Sequence, residues 1–120
     1  MHRNFILPLL FLAAGLTLFS CSKRPPQKRI AGIVFQEDQF FRLVLFGMRD
    51  AAKKNGVELL EANSNNRPDK EVQLINTYIA NKVDAIAIAP LSAKSSISAL
   101  ERAREKGIPV IVHNMTLESR

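Results

Sequence analysis

Three interruptions at even spacing constrain this chain more than anything else in it. Gly56, Lys82 and Gly107 each close an amphipathic stretch and open an apolar run, and they lie 26 and 25 residues apart. A unit of that length holds one strand and one helix with short connections. Successive right-handed strand–helix units of this kind lay their strands side by side in parallel. No sequence self-similarity recurs at that spacing, so the period is architectural. It predicts an α/β chain: a doubly wound parallel sheet with helices on both faces, the flavodoxin-like strand order 2-1-3-4, and a switch point between the first and third strands.

The residues between the interruptions support each unit. Ile30–Phe35 is a short apolar run that reads as a buried strand. From Phe40 to about Asn55, Val44, Met48, Ala51 and Ala52 recur at helical spacing, and Gly56 suits the left-handed position just past the helix end. Val57–Leu60 predicts a second strand and Asn63–Asn66 a polar loop. Pro68 fits the first turn of a second helix, with Asp69 and Glu71 favourable at its positive dipole end and Val72, Ile75 and Ile79 on its buried face. Val83–Ala89 has the apolar character of a strand covered on both faces, and Pro90 stops it. Ser92 is expected to cap a third helix that buries Ile97, Leu100 and Ala103. Ile108–Val112 is the fourth strand, with Pro109 tolerated near its start.

Ahead of this pattern lies a different kind of sequence. Met1–Asn4 is short and basic, and Phe5 to about Leu18 is an apolar run too short to span a bilayer comfortably, broken by Pro8 and Gly15. That is the layout of a secretory signal. Leu18-Phe19-Ser20-Cys21 resembles the lipobox of bacterial lipoproteins, with an aliphatic residue three before the cysteine and a small residue directly before it; Phe19 is bulkier than usual. The resemblance implies cleavage before Cys21 and acyl chains on the new N-terminus, and two or three chains anchor stably where one does not. Cys21 is the single cysteine, so no disulfide framework is available, and acylation accounts for a lone cysteine in an exported chain. The other readings of the leader are a soluble secreted protein with a free thiol, or an uncleaved anchor helix. The expected organisation is a signal peptide over residues 1–20, a lipidated cysteine and basic tether over 21–29, and one ligand-binding lobe over 30–120, held at a bacterial membrane and facing the periplasm or the exterior.

Charge sorts the same way. The formal net charge of +6 resides mostly in the leader and tether: from Ile30 onward, 12 basic residues meet 11 acidic ones. A nearly neutral domain offers no basic face to phosphates, so nucleic acid is not an expected partner. Lys23, Arg24, Lys28 and Arg29 stand where they face anionic lipid or form a solvated tether, stiffened by Pro25-Pro26.

In such sheets ligands bind beyond the carboxyl ends of the strands, near the switch point. Gln36–Phe41, Asn63–Asn66, Ala89–Ser92 and His113–Met115 fall on that edge. They offer carboxylate and amide groups for hydroxyls, and a phenylalanine pair to cover the C–H face of a ring. That chemistry suits a small neutral polyhydroxylated ligand. Each group also has a plainer role: one phenylalanine as core, the asparagines as turn residues, His113 as a strand end. No Gly-x-Gly-x-x-Gly follows the first strand, no Cys/His cluster has metal-ligand spacing, and no nucleophile elbow is present. Neither a cofactor nor catalysis is expected.

The chain resembles the sugar-binding family of type I periplasmic solute-binding proteins, the ribose- and galactose-binding group that serves ABC importers. The resemblance runs from about Arg29 to the end. It rests on Asp38-Gln39-Phe40-Phe41, on Gly47, on Asn63–Glu71 around the second loop, and on Gly107–Ile111 leading into His113-Asn114. It implies that Asp38 is a polar ligand contact, that Phe40 and Phe41 pack on the sugar ring, and that Asn114 hydrogen-bonds sugar hydroxyls. Met115 stands where the family often has a basic residue, and Ala89 lacks the polar side chain of some ribose binders, so a less polar ligand is also compatible. The implied partners are a monosaccharide-like ligand, an ABC permease and, through Cys21, the membrane. The family clamps its ligand between two lobes in roughly 300 residues. Residues 30–120 are therefore expected to be an incomplete N-terminal lobe that binds sugar weakly or not at all by itself. The alternative function is a lipoprotein sensor that presents a small signalling molecule to a chemoreceptor or sensor kinase.

Overall fold

The computed structural model describes residues 25–92 and 94–115; the leader, Cys21 and its expected lipid lie outside the described residues. Strands and helices alternate strictly: β1 (Arg29–Val34), α1 (Gln39–Lys54), β2 (Glu58–Asn63), α2 (Pro68–Ala80), β3 (Ala85–Ile88), α3 (Ile97–Glu105) and β4 (Val110–Val112). The four strands form one parallel sheet in the order β2-β1-β3-β4, as the spacing of the interruptions predicts. All three interruptions carry positive φ: +65° at Gly56, 51° at Lys82 and +76° at Gly107. The left-handed residue turns the chain out of each helix and into the next strand.

Side-chain alternation gives the sheet two unlike faces. Ala31 and Ile33 of β1 and Ile86 and Ile88 of β3 point to one side, where Ile75 and Tyr78 of α2 and Ala99, Leu100 and Ala103 of α3 seal them. On the other side Val34, Ala89 and Phe41 form a smaller cluster with Phe35 and Leu45. Among the described elements, α1 alone lies against the strands there. A Cβ built on Gly32 would stand 3.0 Å from the Met48 sulfur and 3.2 Å from Leu59 Cδ1, so the missing side chain is what lets α1 approach β1 and β2.

Several boundaries differ from the sequence expectation. Val83 and Ile108 are buried but precede their strands. Their amides bond back to the preceding helices, to Tyr78 O and Ala103 O. Pro109 has no N–H to give to a ladder, so β4 starts after it. Ser92 does not cap α3. Its hydroxyl accepts from the amides of Lys94 (3.2 Å) and Ser95 (3.5 Å) and organises a separate turn, and the helix starts later, at Ile97, with Ser96 at its N-cap. The tether also ends earlier than expected. Arg29 opens β1, its amide donates to Asp84 Oδ2 at 2.8 Å, and the Lys28 ammonium lies 2.8 Å from Asp84 Oδ1. Lys28, and after it the Arg29 amide, hold the Asp84 carboxyl below the usual carboxylate range. Among the described residues no helix is long and apolar enough to cross a membrane.

Candidate functional site

The carboxyl ends of all four strands open onto one edge, and the segments beyond them are bonded to one another. Ser64 N donates to Val34 O at 2.9 Å and Asn66 N to Phe35 O at 2.6 Å, which tie the loop after β2 to the end of β1. Asn65 and Asn66 are consecutive left-handed residues, with φ of 53° and 58°, and the Asn63 side chain accepts from Asn65 N at 2.8 Å. Asparagine supplies both features cheaply, which explains the run of polar residues there.

The segment after β1 divides its chemistry. Asp38 is the N-cap of α1: its backbone is extended, and Oδ1 accepts from Phe41 N at 2.8 Å while Oδ2 accepts from Gln36 Nε2. Part of the carboxylate is therefore spent on the helix start, a role that its sequence position alone did not assign. The phenylalanine pair separates in the same way. Phe41 is 2% exposed, edge-on to Phe35 with ring centroids 4.7 Å apart; Phe40 is 53% exposed and stands edge-on to Phe41 at 5.1 Å. Phe40 offers the free aromatic surface, and Phe41 holds it in place from the core. Asn114, with φ 64°, and Met115 are exposed just past β4. His113 donates its amide to Ile88 O at 3.0 Å, and its Nε2 is buried without a hydrogen-bond partner. Burial holds the imidazole below its ordinary pKa.

A cleft of about 360 Å³ adjoins this edge on the β2 side of α1, lined by Gln36, Glu37, Phe41, Arg42, Arg49 and Asn63 among others. It is walled by a two-point ion pair: Arg49 Nε to Glu61 Oε1 at 2.6 Å and Nη2 to Oε2 at 2.8 Å. That pair pulls the Glu61 carboxyl below its ordinary range. The cleft sits to one side of the β1/β3 switch point, so it is a flank of the edge and not its centre.

One polar residue central to this edge escapes a reading of the sequence. Glu71, placed in the first turn of α2 as expected, is fully buried and not solvated. Its carboxylate accepts from Leu91 N at 2.9 Å, from the Ser96 hydroxyl and, at 3.5 Å, from the Ser64 hydroxyl. An acid at that helical position normally faces water, and no local pattern signals donors that lie 20 and 25 residues onward. No group of His, Cys, Asp and Glu among the described residues has the arrangement to hold a metal ion.

A family model described as a periplasmic binding protein domain matches residues 33–120. The ABC transporter periplasmic-binding protein YphF of Escherichia coli is 31% identical over 120 residues, which is 98% of this chain and 36% of that protein. The xylitol-binding protein of Mycolicibacterium smegmatis is 31% identical over 112 residues, 89% of this chain and 32% of its own length. The chain thus spans about a third of the length of these relatives. Among solved structures, an ABC transporter solute-binding protein of Actinobacillus succinogenes with bound D-allose superposes with a TM-score of 0.73 at 26% identity, over 78% of this chain and 34% of that one.

Proposed function

The chain belongs to the periplasmic binding protein domain family, and from that premise we propose that it forms part of the first lobe of an extracytoplasmic, lipid-anchored binding protein that delivers a monosaccharide or related polyol to an ABC importer. The observation that carries this reading is the edge at the β1/β3 switch point, where an exposed Phe40 ring stands beside amide and carboxylate side chains. An apolar ring face and hydroxyl partners on one surface match the two sides of a sugar. Asp38 and Asn114 supply the polar contacts, Phe40 stacks on the ring with Phe41 behind it, and Met115 presents an apolar contact at the rim. Xylitol and D-allose, the ligands of two of the relatives, are of this chemical class. The protein carries out no reaction of its own; its work is capture and delivery. Cys21 carries the acyl chains that keep it at the membrane.

Calorimetry of the full-length protein against D-allose, D-ribose and xylitol tests the binding reading. We expect a saturable isotherm with one of them or a close stereoisomer, weakened by roughly two- to tenfold in Phe40→Ala, since an aromatic contact is worth about 0.5–1.5 kcal/mol. A flat response across monosaccharides and polyols, or unaltered affinity in Phe40→Ala, would reject it. Mass spectrometry of the mature N-terminus tests the anchor: acyl mass on Cys21 is expected, and its absence removes the lipoprotein reading alone.

A further inference from the structure

Glu71 is a carboxylate at 0% exposure with no cation in its shell: none of the ion pairs among the described residues involves it. Burying an anion is unfavourable unless hydrogen bonds and dipoles replace water. Here they do. Two hydroxyls and one backbone amide point at its oxygens, and both serines are themselves fully buried. The group also lies at the positive ends of two helices, in the first turn of its own α2 and against Ser96, the N-cap of α3. Ser96 gives its hydroxyl to Glu71 and makes no side-chain cap bond to α3. The carboxylate thus joins the start of α2 to the Ser96 hydroxyl at the start of α3.

The three donors come from separate places on the candidate binding edge. Ser64 directly follows β2 and is bonded to the end of β1; Leu91 follows β3 through the buried Pro90; Ser96 is the N-cap of α3. We propose that Glu71 is a positioning residue: it locks the segment after β3 against the segments after β1 and β2, so that the binding edge on both sides of the switch point is preset as one surface before ligand arrives. This rests on the proposed ligand-binding role of the edge, and it names what holds that edge in shape. All three partners donate, and the two side-chain oxygens of Glu71 take all three bonds.

The test compares Glu71→Gln, Glu71→Leu and Ser96→Ala in the full-length protein by amide hydrogen exchange without ligand and by calorimetry with D-allose, D-ribose and xylitol. Glutamine keeps one acceptor oxygen and nearly the same shape; leucine keeps the volume and removes all acceptors. In Glu71→Leu, exchange at Leu91 and Lys94 should rise at least about tenfold while Ile33 and Ile86 in the strands keep their protection. Ser96→Ala should give a smaller rise at the same amides, and Glu71→Gln should stay within about threefold of the parent. For a sugar that the parent binds, affinity should follow the same order. Unchanged Leu91 exchange in Glu71→Leu, or a uniform rise over the whole sheet, would overturn the proposal, the second result marking Glu71 as a residue of general stability. If Glu71→Leu fails to fold, Ser96→Ala against Glu71→Gln decides by the same criterion. Failure of the parent to bind any of the sugars counts against the ligand reading and leaves the exchange result to decide the role of Glu71.

Discussion

The two faces of the sheet are drawn from the same strands, yet they are finished to different degrees. Under α2 and α3, Ala31, Ile33, Ile86 and Ile88 are all sealed from solvent. On the opposite face α1 covers β1 and β2 but does not reach β4, where Ile111 is 57% exposed, and a largely apolar groove bounded by Ile30, Met48, Ala87 and Ile111 runs between helix and strands. Leu43 and Phe46 are exposed on α1 itself. The difference teaches that hydrophobic pattern and coverage are separate properties. β3 and β4 are written as strands buried on both sides, and only one of those sides has a partner among the described elements.

The largest expected effect sets one face directly against the other. Ile86→Ala should cost about 2–5 kcal/mol in chemical denaturation, as truncation in a close-packed core does, while Ile111→Ala should change stability by less than about 0.5 kcal/mol. Equal costs would break the comparison, by showing that the second face is covered in solution. Next comes the close approach of α1. Gly32→Ala should cost about 1–3 kcal/mol, because the new methyl presses on Met48 and Leu59. Combining it with Met48→Ala should recover part of that cost, a non-additivity that a thermal-melt double-mutant cycle detects. Asp38→Ala should cost about 1 kcal/mol through loss of the α1 cap, and hydrogen exchange should place the loosening in α1 and leave α2 and α3 protected.

The smallest effect is in pH. Burial lowers the His113 pKa, so the unfolded chain binds the proton more readily than the folded one. Its contribution to stability is complete above the ordinary value of 6.5 and declines as pH falls through 6.5 toward the folded value. Stability measured against pH should dip modestly below 6.5, and His113→Gln should flatten that limb.

The topology was legible in the sequence because it depends on spacing and on local turn chemistry. Gly56 and Gly107 mark helix ends by their own conformational freedom, and apolar runs rich in strand-forming residues mark the strands beyond them. The site was legible as a set of loops and not as a set of contacts. Which phenylalanine faces outward depends on Phe35, Val34 and Ala89 closing over Phe41. Ser92 and Ser96 both carry cap-forming side chains; the first organises a separate turn, the helix begins after the second, and the Ser96 hydroxyl goes to Glu71, 25 residues earlier in the chain. Long-range donors of this kind leave no trace in a local window.

The parallel order has a consequence in time. β1 is the first strand made and an interior strand of the sheet, so both of its edges wait for later sequence. Its start is bonded to Asp84, 55 residues onward, and Gln27 beside it bonds to Gly56, 29 residues onward. No hairpin joins the described strands, since each neighbour must return over a helix. Pairing at such sequence separation is slow. As the chain is synthesised, β1 keeps an open apolar edge until β3 has emerged, and the nascent segment needs either shielding or delay over that interval.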